Sequence, residues 1–160
     1  MSCPWSWRLA LRRYSTKPFR PADLEAVAPP GITEAMRHLF VQRLSIAHSW
    51  TRWRDSIILG CAGIVPMWLG RAEAWSVVGP CDRYDMIYAT RAVISGIEAA
   101  RQVLGFWRLE ATTIAGWRPG ERWLEMLGFQ PEAYLRQYAP DGTDHRLYAR
   151  LWPRSPLSLA

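Results

Sequence analysis

The stretch GERWLEMLGFQPEAYLRQYAPDGTDHRLYAR, Gly120 to Arg150, decides how this chain is read. Glu121 to Leu127 carries an apolar pattern at helical spacing, with Pro119 near its first turn, where a missing N–H costs little. Gly128 is the expected left-handed stop, since only glycine enters that conformation without a Cβ penalty. Beyond it, two tyrosine-bearing runs flank Pro140-Asp141-Gly142, a turn sequence, so the segment reads as a helix feeding a β-hairpin.

Working back, Asp82 to Leu104 reads as a long helix with Ile87, Ile94, Ile97 and Leu104 on one stripe. It lies between two strand patterns, 72–78 and 108–115. A strand, a helix and a second strand form a crossover unit, so these strands are expected to be parallel neighbours with a right-handed connection. IILGCAGIVPM, from Ile57, is a near-continuous apolar run, as expected for a strand covered on both faces. Arg54-Asp55-Ser56 marks a turn before it.

Earlier still, an edge strand is expected up to Arg20, with Asp23 as N-cap of a short helix that Pro29-Pro30-Gly31 stops. Thr33 opens a longer helix to about Ser49. The element order is β, α, α, β, β, β, α, β, α, β, β. The expected class is therefore α/β (α+β): a mixed, mostly antiparallel sheet of six or seven strands, one parallel β-α-β crossover, and helices on both faces.

Composition bounds the function. The 160 residues suit one domain, read as 15–153, with a basic arm at 1–14 and a tail at 154–160. A content of 49% hydrophobic residues excludes global disorder, and the net charge of +6 admits an anionic partner or simple solubility. No Lys/Arg block is dense enough to single out nucleic acid. Leu-Ala-Leu near the start is too short for a signal peptide, and no run approaches the ~18 apolar residues of a membrane span.

Cys3, Cys61 and Cys81 show no metal-ligand spacing, and His38, His48 and His145 are scattered, so no metal is expected. His145, beside Asp144, is expected to be exposed. Ten tryptophans are many for this length, and tryptophan is enriched at interfaces as well as in cores. Trp5, Trp7, Arg8, Arg12 and Arg13 make the arm a candidate partner-binding element.

FRPADLEAV, IILGCAGIVP and RWLEMLGFQPEAYLRQYAPDGTDHRLYAR together resemble the GNAT N-acetyltransferase superfamily over roughly 16–151. There an Arg-Pro-Ala start opens the first strand–helix unit, and Leu-Gly-Phe closes the last helix before a tyrosine-bearing hairpin. AGIVPMWLGRAEAWSVVG, RLEATTIAG and RWLEMLGF also resemble a GNAT-like phage protein family that includes internal virion proteins of short-tailed phages.

The superfamily resemblance implies acetyl-CoA between the two parallel strands, its pyrophosphate on the N–H groups that open the crossover helix. It places Val77, Val78, Gly79, Arg83, Tyr84 and Arg118 at the cofactor. Glu73 becomes the candidate base, and Tyr138, then Tyr134, the candidate acid. The sequence departs from the family at GPCDRYDMIYATR, Gly79 to Arg91, which lacks the glycine spacing of a pyrophosphate loop and places Asp82 and Asp85 where they would repel the anion.

That departure favours a virion or assembly protein on an eroded acetyltransferase scaffold. Its partners would be other phage proteins met through the Trp-rich surface and the arm, in the host cytoplasm or the virion, with no cofactor. The alternative is an acetyl-CoA-dependent N-acetyltransferase with an atypical loop. A nucleic-acid binder ranks third.

Overall fold

The structure, a computed structural model, describes residues 12–27 and 48–154. Trp5, Trp7, Arg8 and most of the helix expected from Thr33 lie outside the described residues. Among the described residues ten elements follow one another: β1 (Tyr14–Pro18), α1 (Pro21–Glu25), β2 (His48–Arg54), β3 (Ile57–Trp68), β4 (Arg71–Val78), α2 (Arg83–Leu104), β5 (Arg108–Ile114), α3 (Arg118–Met126), β6 (Gln130–Leu135) and β7 (His145–Leu151). The seven strands form one sheet in the order β1-β2-β3-β4-β5-β7-β6, in which β4–β5 is the parallel pair. The mixed, mostly antiparallel sheet and its crossover are those expected.

Strand alternation divides the core. Ala72 and Ala74 on β4, with Leu109 and Ala111 on β5, point to the face covered by α2 and α3. Ile97 and Ala100 of α2 and Leu124 and Leu127 around the end of α3 pack there with Tyr148. On the other face, Leu24 of α1 meets Val65, Trp75 and Val77. The Tyr148 ring is fully buried at the centre of the first cluster.

The opening stretch folds as its residues dictate. The Gly128 N–H bonds the Glu125 carbonyl at 2.9 Å and the Phe129 N–H reaches Leu124 at 3.0 Å, a Schellman end with Gly128 at φ 87°. The Gly142 N–H closes its turn onto Ala139 at 2.8 Å.

Local readings differ from the structure at four places. Arg20, not Asp23, is the N-cap of α1; Asp23 is the third residue of a capping box. Its buried carboxylate also accepts the Thr51 hydroxyl at 2.8 Å, tying α1 to β2. Ile87 and Ile94 are largely exposed, because α2 turns Val93, Ile97, Ala100 and Leu104 towards the sheet and leaves the two isoleucines to the side.

His145 is half-buried against Tyr138, while the Asp144 carboxylate serves the Tyr134 hydroxyl and the Gln137 N–H. Tyr14, read as the last residue of the arm, opens β1, and Arg13 exchanges two hydrogen bonds with Asp55. Among the described residues no helix is long and apolar enough to cross a membrane.

Candidate active site

β4 and β5 stay paired for three rungs, Arg71↔Arg108, Ala72↔Leu109 and Glu73↔Glu110, and then part. Beyond that fork β4 continues along β3 to Val78, and β5 continues along β7 to Ile114. The side of β4 that turned to β5 loses its strand partner after Glu73, which leaves main-chain N–H and C=O groups facing the gap.

A cavity of about 500 Å³ occupies the gap, in the range of small-molecule sites. Small side chains make the room: Ala74 and Ser76 from β4, Ala111 and Thr113 from β5. Ile97 of α2 and Trp123 of α3 wall it from the helix side. The Trp123 indole N–H donates to the Thr90 hydroxyl at 2.9 Å and pins the two helices together. Gly120 is required where α3 passes β5: a Cβ there would come within 2.5 Å of the Thr113 hydroxyl and closer still to the Trp117 ring. Among the described residues no lining side chain carries a charge.

Charges gather at the fork on the opposite face. The buried Glu110 carboxylate accepts from Arg71 at 2.8 Å and from Arg108 at 2.5 Å, and Arg108 also holds Glu132 of β6. Glu73 shares that face and lies near enough for its charge to raise the Arg71 guanidinium further. Burial alone would lift the Glu110 carboxyl, but the bonds from Arg71 and Arg108 outweigh it, and the group sits below its ordinary value.

A carboxyl lowered by folding stabilises the protein above the unfolded value, about 4.3, and that contribution fades as pH falls through the folded value. Thermal midpoints of the wild type should therefore drop below about pH 4.5, and Glu110→Gln should flatten the drop. An unchanged acid slope in the variant would remove Glu110 from this role. Composition and spacing gave no hint of this network, because its members meet only once the strand register is set.

The loop from Gly79 to Asp85 differs from the expectation in its physics. Asp82 caps α2, accepting the N–H groups of Tyr84 and Asp85 at 2.9 Å each. Asp85, fully buried, accepts the Asp82 N–H at 3.2 Å, the Tyr14 hydroxyl at 2.9 Å and a guanidinium N–H of Arg54. Arg12 bridges both carboxylates, at 2.6 Å and 3.5 Å. The two acids are thus neutralised locally, and what the loop lacks is amide donors more than tolerance of an anion.

Of the residues expected at a cofactor, Val78 and Gly79 line the cavity, while Val77 faces α1. Arg83 is turned onto the exposed Tyr84 ring, 4.6 Å from its centre, and donates to its hydroxyl. Arg118 is exposed in the first turn of α3, between Trp117 and Pro119, which both line the cavity. Tyr134 and Tyr138 do not line it. The Tyr134 hydroxyl is committed to Asp144 at 2.8 Å, whereas the Tyr138 hydroxyl makes no hydrogen bond among the described residues. Burial pushes the Cys61 thiol up to about 11, so it is no nucleophile at neutral pH.

No protein-family profile matches the chain, and no curated protein does. Solved structures do. An acetyltransferase of the GNAT family from Bacillus anthracis superposes with a TM-score of 0.65 at 23% identity, over 87% of this chain and 95% of that one. The ribosomal-protein-S18-alanine N-acetyltransferase of Escherichia coli gives 0.68 at 18%, over 92% and 99%. A GNAT family acetyltransferase from Elizabethkingia anophelis with acetyl-CoA bound gives 0.65 at 13%, over 87% and 98%. The fold of this chain is that of the GNAT acetyltransferases.

Proposed function

We propose that the protein is an N-acyltransferase that takes its acyl group from a pantetheine thioester of the acetyl-CoA type. One observation carries the reading: the uncharged cavity of about 500 Å³ opens where two parallel strands part, beside a strand edge without a partner. A pantetheine arm carries two amides, and the free edge of β4 offers the hydrogen-bonding groups to match them. Ala74, Ser76 and Val78 are the strand residues that would hold it. A bound thioester would supply an activated acyl carbon.

The chain's own part is to position and to move protons. Side chains of α2 and α3 wall the cavity on one face, and the acceptor amine would approach from the α1 face, where Glu73 stands at the fork. Glu73 takes the ammonium proton, and Arg71 and Glu110 fix the charge pattern around it. Tyr138 stands outside the cavity lining, and its hydroxyl makes no hydrogen bond among the described residues; it would have to turn towards the thioester to return a proton to the departing sulfur.

Glu73→Gln should lower turnover at least tenfold, within the usual worth of a general base, and leave donor affinity unchanged. Tyr138→Phe should behave likewise. Both are read by thiol release with a panel of primary amines, and full turnover in either variant removes that residue from the mechanism. Of the arm residues behind the virion reading, Trp5, Trp7 and Arg8 lie outside the described residues, while Arg12 and Arg13 are engaged within the domain by Asp82 and Asp55.

A further inference from the structure

We infer that this site reads only the acyl-pantetheine arm of its donor, and that the nucleotide diphosphate head of CoA adds nothing to its affinity. The inference rests on the acyltransferase reading above and narrows its donor class.

A diphosphate held at the start of a helix needs free amide donors, the positive helix end and a backbone that comes close. Four amides of the loop before and at the start of α2 are already spent inward. The Gly79 N–H goes to the Leu59 carbonyl at 2.9 Å, those of Tyr84 and Asp85 to Asp82, and that of Asp82 to Asp85. Pro80 has none to give.

Among the described residues, the arginines beside the loop are engaged elsewhere. Arg12 spans the two aspartates, Arg54 is paired with Asp85, and Arg83 lies on Tyr84. Nor can the cap swing aside cheaply. Asp85 has no exposed surface and ties α2 to Tyr14 and Arg54, so freeing its amide partner means dismantling the junction of β1, β2 and α2. Asp82 stays ionised at neutral pH, held low by backbone N–H groups and by Arg12.

The cavity has the opposite character. Its lining is uncharged among the described residues and suits a neutral, amide-bearing chain with a thioester at its end. The chemistry recognised is thus acyl-pantetheine, which reaches the protein either as a free small thioester or as the prosthetic arm of a carrier protein.

The test titrates the full chain calorimetrically with acetyl-pantetheine, acetyl-CoA and an acetylated holo-carrier protein. The expected result is that acetyl-CoA binds within tenfold of acetyl-pantetheine, and that millimolar pyrophosphate does not compete. A carrier-borne arm at least tenfold tighter than acetyl-pantetheine supports the inference and assigns the carrier as source. Equal affinities support it and assign the free thioester.

Acetyl-CoA more than tenfold tighter than acetyl-pantetheine overturns the inference and leaves the acyltransferase reading standing. Binding by none of the three removes that reading as well. Asp82→Ala, which releases the Tyr84 and Asp85 amides, should tighten acetyl-CoA at least tenfold and leave acetyl-pantetheine unchanged. An equal effect on both ligands would count against the capped-amide argument.

Discussion

Gly70→Ala should lower the unfolding free energy by about 3 kcal/mol, the combined order of a left-handed backbone penalty and an overpacked contact. Gly70 has φ 81°, a conformation that alanine adopts only under strain. A Cβ there would stand 2.1 Å from the Trp107 ring, so the indole would have to shift. The Gly70 carbonyl also accepts the N–H groups of Trp107 and Arg108, at 2.9 and 3.0 Å. These bonds hold the entry of β5 against β4, just before the three parallel rungs, so a shift here disturbs the fork itself. For a chain of this size the loss corresponds to roughly 10 °C in the thermal midpoint. A midpoint within about 2 °C of wild type would mean that the Gly70 turn is not under this constraint.

Asp85→Ala should cost a similar amount, about 3 kcal/mol, because it strands charges that are removed from water. Arg54 would lose its carboxylate partner, and Arg12 would keep only Asp82. The Tyr14 hydroxyl and the Asp82 N–H would lose their acceptor too. The stacked rings of Tyr14 and Tyr88, 4.1 Å apart, depend on the same junction.

Urea unfolding measures the cost. The double variant Arg54→Met/Asp85→Leu separates the mechanisms, because replacing both partners removes the stranded charge. It should recover at least half of the loss, as paired apolar replacements of buried ions often do. If the double variant is no better than the single one, the cost arises from lost capping of α2, and the ion pair is incidental.

What the sequence revealed depended on whether the signal was local. Gly128, Pro119 and the Pro140-Asp141-Gly142 turn act within a few residues, and each element end was read where it falls. The crossover from β4 through α2 to β5 followed from element order and a handedness rule. The core side of α2 was misread because large aliphatics drew attention from Ala100, whose small side chain lets the helix approach the sheet.

The site was legible in outline only. Val78 and Gly79 follow from their place at the end of β4, but Glu110 needs the register that brings Arg71 and Arg108 to it. In the sequence Asp82 and Asp85 stand out as charges that would repel an anion. They consume amides two and three residues away, whereas the closing of Arg12 over them is a contact seventy residues apart in the chain.

Donor occupancy of the space between β4 and β5 is the claim on which the rest depends. Calorimetric titration of wild type and Ala74→Phe with acetyl-CoA, on protein shown to be folded by near-ultraviolet circular dichroism, tests it directly. Ala74 lines the cavity from β4, so a phenylalanine there fills the space in which the arm would lie. Saturable binding by the wild type, weakened at least tenfold in the variant, is the expected result. No heat at millimolar ligand, or equal affinity in the two proteins, would contradict it.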